Sequence, residues 1–265
     1  ILISCAKNAP VAPVRPPKRL LIGVVAFLVM AALLFLFRSS YQQWYQLWRW
    51  KSLDVAQPGQ IPRKLWVFNV SDMQRFEKVD PGFTGIETNI VVDAVGKAVW
   101  LGETPGKTDG TALTELLAAA AQRKQEVLLD VHTEGRGYDE VLLNYLNNAQ
   151  DSNGYRDRLV MELYSPASAN FFAAYGYRVA INIGGKLTEQ TPDSINRFKA
   201  GLHKNIGYVC EEAHHYNDFK NHFPEYRVIT WAVGKEYLFG MNKLQALNAD
   251  QQISAIVVDL KTSPF

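Results

Sequence analysis

Four carboxylates lie inside apolar runs rich in β-branched residues, where an unpaired charge is costly. They are Glu87, Asp130, Glu162 and Asp259. An ionised carboxylate leaves water unfavourably unless a cation, a basic partner or a shared proton compensates it. Oxygen ligands suit Ca²⁺ or Mg²⁺, so we predict the first three acids as ligands of one of these ions. The alternative is that separate hydrogen bonds, or Arg227 and Lys261, satisfy each acid.

His132 follows Asp130 by two positions, so both side chains share one face of an extended strand. An imidazole exchanges protons near neutral pH, which makes His132 the candidate general acid or base. The alternative is a histidine hydrogen-bonded in the interior. His214 and His215 are adjacent in EEAHH. Adjacent side chains on a helix diverge by about 100°, so we predict surface histidines there.

Eight short runs rich in Val and Ile recur after residue 64, and helix-like stretches separate most of them. The runs are 65–70, 85–92, 126–132, 158–164, 177–183, 206–210, 226–233 and 254–260. Alternating strands and helices predict a parallel sheet, and eight strands fit an α/β fold of the TIM-type (β/α)₈ barrel. A doubly wound open sheet is the alternative. The run KAVWL at 97–101 is expected to form a hairpin with the second strand.

Strand alternation predicts which side chains meet inside such a barrel. Val127, Leu129 and Val131 share an apolar face that should meet the helices, and Asp130 lies on the opposite face. Barrel active sites form at the carboxyl ends of the strands. The polar and aromatic residues at these ends are therefore candidate ligand-binding residues: Asn69, Asn89, Asn182, Trp231 and Asp259.

Residues 20–37 form an apolar run of 18 residues without charge or proline. A helix of this length spans about 27 Å, close to the hydrocarbon thickness of a bilayer. We predict a cytoplasmic tail at 1–19, a transmembrane helix at 20–37, an aromatic juxtamembrane segment and linker at 38–64, and a barrel at 65–265. A buried core helix is the alternative for the apolar run.

The charged residues that flank the apolar run indicate the orientation of the chain in a membrane, and the small residues within the run indicate possible partners. Four basic residues precede the apolar run and one follows it directly, which favours a cytoplasmic N-terminus and a periplasmic or extracytoplasmic barrel. Small residues such as Gly23 and Ala26 could pack against helices of other membrane-protein subunits. The net charge of +2 gives no case for a nucleic-acid partner, which requires a concentrated basic surface.

The run GIETNIVVDAVGKAVWLGETPG at 85–106 resembles the glycerophosphodiester phosphodiesterases and the wider phosphatidylinositol-phospholipase-C-like phosphodiesterases. That family carries G-x-E-x-D on a strand, an Asp-Gly turn, a second strand and then His-Asp. LTELL, EVLLDV, VITWAV and AIVVDLKTSP continue the resemblance over roughly residues 65–265. It implies a barrel that holds a divalent ion on the strand acids and uses two histidines as acid and base.

Several positions depart from the family pattern. Glu87 is retained, Asn89 replaces the strand Asp, and Asp130 could replace the third acid. Phe68 or Asn69 occupies the first histidine position, and Gly102-Glu103 replaces His-Asp. Each lost acid–base group costs ~10²–10⁴-fold in rate.

Two functions follow from these departures. The first is a membrane-anchored, catalytically degenerate barrel that binds a protein, glycan or lipid headgroup in the cell envelope. The second is a divalent-metal phosphodiesterase with rearranged residues, in which His132 compensates for the missing histidines.

Overall fold

The computed structural model describes residues 18–36, 65–102, 113–150, 154–183, 190–231, 246–247 and 249–258. The predicted linker at 38–64, Glu103, Asp259 and Lys261 lie outside these residues. Residues 1–17 of the predicted cytoplasmic tail also lie outside the described residues.

Nine strands form one sheet. They are β1 (Leu65–Val67), β2 (Gly85–Asp93), β3 (Ala98–Leu101), β4 (Glu126–Val131), β5 (Leu159–Leu163), β6 (Arg178–Asn182), β7 (Tyr208–Glu212), β8 (Arg227–Trp231) and β9 (Ile253–Val258). Eight of them pair in parallel, and β1 closes the circle because it pairs with both β2 and β9. The predicted eight-stranded barrel is confirmed, and the open sheet is excluded.

The expected hairpin is also present, since β3 pairs antiparallel with β2. Helices follow most of the barrel strands. They are α2 (Met73–Lys78), α3 (Leu113–Gln122), α4 (Arg136–Gln150), α5 (Pro166–Ala174), α6 (Pro192–Ala200) and α7 (Tyr216–His222), and a further helix, α1 (Lys18–Leu36), precedes the first strand. Ser165 caps α5, because its side chain accepts a hydrogen bond from the Ala167 N–H at 3.2 Å.

Strand alternation sorts the side chains into two buried layers. Val127, Leu129 and Val131 belong to the large cluster that also contains the buried faces of the helices. The side chains between them on β4 point inward, where Leu128 joins a smaller cluster with Trp66, Val160 and residues of the other strands. This inner cluster fills the interior, so the polar residues nearer the strand ends are held above a packed apolar base.

Helix α1 contains the greater part of the predicted membrane span. Its side chains are described at positions 24–33, and all of them are exposed. Among the described residues, no helix is both long and apolar enough to cross a membrane. The membrane span stays a prediction.

Candidate functional site at the barrel mouth

Strand register brings the predicted polar residues to the same end of the barrel. Asp130 on β4 is paired in register with Asn89 on β2 and with Glu162 on β5. Glu87 and Glu162 are fully buried, and Asp130 is 8% exposed. Three acids on neighbouring strands therefore face one interior, as strand alternation predicts.

His132 lies directly above Asp130 and is fixed by two oxygen atoms. Its Nε2 is 3.2 Å from Asp130 Oδ2 and 2.9 Å from Asn89 Oδ1. Both oxygens are hydrogen-bond acceptors, so the imidazole with a proton on Nε2 satisfies them. Asp130 also accepts a hydrogen bond from the Tyr164 hydroxyl at 3.0 Å, and the Tyr164 ring stacks on His132 with centroids 5.8 Å apart. Asp130 thus orients the histidine, as a carboxylate partner does in proton-transfer sites.

The Glu162 carboxyl is held without a basic partner among the described residues. The Asn182 amide donates to its Oε1 at 2.6 Å, and no described donor is in hydrogen-bonding geometry with its buried Oε2. Burial raises the pKa of Glu162 well above its usual value, the nearby Asp130 charge raises it further, and the Asn182 bond partly opposes them. The Glu162 carboxyl therefore keeps its proton to a higher pH than an ordinary glutamate does.

Glu87 is bound by the backbone that leaves β1. The Asn69 N–H donates to Glu87 Oε2 at 2.5 Å. Asn69 has a φ of 54°, a left-handed conformation that asparagine tolerates better than most residues. Its carbonyl accepts from Arg75 Nη1 at 3.1 Å. The turn after β1 therefore supplies the donor that the buried acid needs.

Glu134 is a rim residue that the sequence argument missed. Its carboxylate accepts the backbone N–H groups of Tyr164 at 2.5 Å and Ser165 at 2.8 Å, at the start of α5. Burial raises the pKa of Glu134, while these two bonds lower it. Together with His132 it lines an open pocket of ≈ 460 Å³ at the mouth. Glu134 follows His132 by two positions, just past a strand end, and this spacing is the sequence signal that could have identified it as a rim residue.

The remaining predicted residues take different places. Asn182 faces the interior and contacts Glu162, whereas Trp231 is partly buried against the inner apolar cluster. Glu87, Asp130 and Glu162 do not bring one ligand atom each within 4.8 Å of one another, which a Ca²⁺ or Mg²⁺ cage requires. In this arrangement the three acids do not fit such an ion, and their ligand role stays a prediction.

A different group of side chains satisfies that distance. Glu212, His214 and His215, just after β7, each offer one ligand atom within 4.8 Å of the others. A possible metal-binding group of glutamate and histidine is therefore present. The prediction of separate surface histidines rested on a helical geometry, but both histidines precede α7, which begins at Tyr216.

The parallel barrel with polar strand ends defines a TIM-type α/β protein. No family model and no curated protein matches the sequence. Solved structures do share the fold. A protein described as a glycerophosphoryl diester phosphodiesterase from Silicibacter pomeroyi DSS-3 superimposes with a TM-score of 0.56 at 12% identity, over 76% of this chain and 91% of that one.

Two further structures carry the same description of activity. One is from Galdieria sulphuraria, with a TM-score of 0.51 at 13% identity over 76% of this chain and 95% of that one. The other is from Parabacteroides distasonis ATCC 8503, with a TM-score of 0.51 at 11% identity over 78% and 86%. The predicted resemblance to phosphodiesterases is confirmed in the fold.

Proposed function

We propose that this chain is a membrane-anchored, catalytically degenerate phosphodiesterase-like barrel that serves as a binding or assembly module in the cell envelope. The barrel mouth is the proposed binding site, and Asn69, Asn89, Asn182 and Trp231 are the proposed ligand-binding residues, with Asp259 from the sequence argument. A protein, a glycan or a lipid headgroup is the proposed ligand.

One observation carries the proposal: the chain's own donors engage the acids of the mouth. Glu87 accepts from the Asn69 backbone, Asp130 from Tyr164, and Glu162 from Asn182. A working metal site leaves its carboxylate oxygens directed at the ion. Here one oxygen of each acid is directed at a hydrogen-bond donor of the chain instead.

The substitutions at the resembling positions support the same conclusion. Asn89 has a neutral amide, and its Oδ1 is directed at His132 Nε2. Phe68 packs against the inner apolar cluster, and Gly102 has no side chain at all. Phe68 or Asn69 and Gly102 stand at the two histidine positions of the resembling family. None of these side chains can transfer a proton near neutral pH, which supports the loss of acid–base chemistry at those positions.

The anchor is proposed from the apolar run and its flanking charges. We place the N-terminus in the cytoplasm and the barrel in the periplasm or its equivalent, with the helix in the inner membrane beside other membrane-protein subunits. The exposed apolar side chains at positions 24–33 support an apolar environment for α1. Membrane fractionation with alkaline carbonate extraction tests the anchor, because an integral protein stays in the pellet.

Hydrolysis of a generic phosphodiester tests the lack of turnover. We expect the 265-residue chain to release no product above the metal-only blank with Ca²⁺, Mg²⁺ or Mn²⁺. His132→Ala and the control His222→Ala should match it, since His222 ends α7, away from the mouth. Hydrolysis that His132→Ala removes and His222→Ala preserves would overturn the proposal.

A second candidate function is a divalent-metal phosphodiesterase acting on lipid or envelope-glycan phosphodiesters. The contact of His132 Nε2 with Asp130 at 3.2 Å favours it, because an oriented imidazole beside an open pocket can act as a general acid or base. It also requires the mouth acids to rearrange around Ca²⁺ or Mg²⁺. The hydrolysis assay separates the two functions.

A further inference from the structure

The turn between β7 and α7 gathers two imidazoles and a carboxylate. Glu212 is the last residue of β7, and its Oε2 lies 3.0 Å from His214 Nδ1. The rings of His214 and His215 are 3.9 Å apart between centroids. Because Glu212 pairs in register with Trp231 at the end of β8, the group lies on the rim of the barrel mouth.

A buried carboxylate stands behind one of the histidines. The Glu211 side chain is 1% exposed, and its Oε1 lies 3.4 Å from His215 Nδ1. The same oxygen accepts the Glu212 N–H at 2.8 Å, which fixes its position. With Nδ1 facing Glu211, the Nε2 of His215 is the atom available to a ligand. His215 Nδ1 is buried and lies within ion-pair distance of Glu211, although the two atoms are not in hydrogen-bonding geometry. In metal-binding histidines the second ring nitrogen almost always has a carboxylate or carbonyl partner, which fixes the ring and raises its basicity.

The three ligand side chains are accessible from solvent. Glu212, His214 and His215 are 56%, 57% and 40% exposed. Ligands of tetrahedral zinc lie about 3.3–3.6 Å apart, from bond lengths of ~2.0–2.2 Å. The 3.0 Å contact of Glu212 with His214 is already near this range. The three ligand atoms lie within 4.8 Å of one another, so they must draw closer to share one ion.

We propose that Glu212, His214 and His215 form a transition-metal site that prefers Zn²⁺ and leaves at least one coordination position to water. Two imidazole nitrogens and one carboxylate oxygen are a ligand set that zinc accepts, whereas Ca²⁺ and Mg²⁺ prefer oxygen alone. Glu211 is a positioning residue that acts through His215. The site does not involve the acids Glu87, Asp130 and Glu162, and it does not depend on the proposed function.

Zinc titration of the 265-residue chain, purified without a polyhistidine tag, tests the site by calorimetry. We expect one Zn²⁺ per chain and no displacement by millimolar Ca²⁺ or Mg²⁺. Substitution with Co²⁺ should give the visible absorption bands of a nitrogen- and oxygen-ligated ion. His214→Ala and His215→Ala should each weaken Zn²⁺ binding at least ~10-fold, because each removes one of three protein ligands.

Glu211→Gln tests the positioning role, since it keeps the size and the acceptor for the Glu212 N–H. It should weaken binding by ~10–100-fold and shift the Co²⁺ bands, which a purely structural role would leave unchanged. His222→Ala and His132→Ala are the matched controls and should bind as the unsubstituted chain does. Far-UV circular dichroism confirms that each variant is folded.

Three results would overturn the site. They are no zinc binding, binding that both His214→Ala and His215→Ala leave intact, and binding lost in His132→Ala, which would place the ion beside Asp130 instead. The phosphodiester assay reports on the proposed function separately, because the site can bind zinc whether or not the barrel hydrolyses a phosphodiester.

Discussion

Replacement of Glu162 by glutamine should stabilise the protein at neutral pH. The Glu162 carboxyl is fully buried, and burial together with the Asp130 charge raises its pKa well above the usual value. A glutamine side chain has nearly the same shape and can still accept from the Asn182 amide, which bonds Oε1 at 2.6 Å. Glu162→Gln therefore removes the ionisable group with little change in packing.

The sign of the effect follows from proton linkage. Above the pKa of the unfolded chain, near 4.3 for glutamate, the unfolded state releases the proton while the folded state keeps it. The free energy of unfolding then falls by about 1.4 kcal/mol for each pH unit. The fall ends at the raised pKa of the folded state. At pH values below the pKa of the unfolded state, both states hold the proton. Glu162 then no longer lowers the free energy of unfolding.

Urea denaturation followed by tryptophan fluorescence measures the difference. We expect Glu162→Gln and the unsubstituted chain to have similar unfolding free energies at pH 4. Above pH 4.3 the variant should gain about 1.4 kcal/mol per pH unit relative to the parent, up to the raised pKa. Glu77→Gln, at an exposed position on α2, is the control and should show no such gain.

One result would refute the reasoning about Glu162. If Glu162→Gln is less stable than the parent at pH 7, by more than about 1 kcal/mol, the carboxyl is ionised and compensated. Repeating the series with Ca²⁺ or Mg²⁺ identifies the cause, because a cation held by Glu162 stabilises the parent and not the variant. That outcome would support the metal-dependent phosphodiesterase.

Two substitutions test the packing that supports the mouth. A Cβ at Gly85 would lie 2.6 Å from Trp66 Cδ1 and Nε1, so Gly85→Ala should lower the unfolding free energy by about 1–3 kcal/mol. Gly137 lies in open space on α4, so the control Gly137→Ala should not lower the unfolding free energy. Equal losses in the two variants would contradict the close contact between position 85 and Trp66. Ser168 Oγ donates to the buried Asp139 Oδ2 at 2.8 Å, so Ser168→Ala should cost about 1–3 kcal/mol by urea denaturation. An unchanged midpoint would mean that water replaces the hydroxyl.

Strand periodicity was sufficient to predict the architecture and the orientation of the acids. A period of two places Asp130 and His132 on the face opposite Val127, Leu129 and Val131, and the structure has this arrangement. The barrel followed because alternating strands and helices have few ways to bury one face of each element.

The partners of the acids could not be predicted in the same way. Glu87 is satisfied by the Asn69 backbone because that residue adopts a left-handed conformation after a strand of only three residues. The Asn182 amide reaches Glu162 Oε1 because β5 and β6 have a particular register, with Glu162 opposite Ala180. The backbone conformation of Asn69 and the register of β5 with β6 are set by the folded structure and cannot be read from the sequence. From the sequence alone, hydrogen-bonded acids and a shared metal ion remained open alternatives.

The prediction for the histidine pair used a helical geometry that the structure does not have at these residues. Adjacent side chains diverge by about 100° only within a helix, and His214 and His215 lie in the turn before α7. The short turn lets both imidazoles stay near Glu212 at the end of β7. If zinc binds there, the barrel has polar ligands on two separate parts of its rim. The residues at the mouth acids and the residues of the zinc site could then be tested independently of one another.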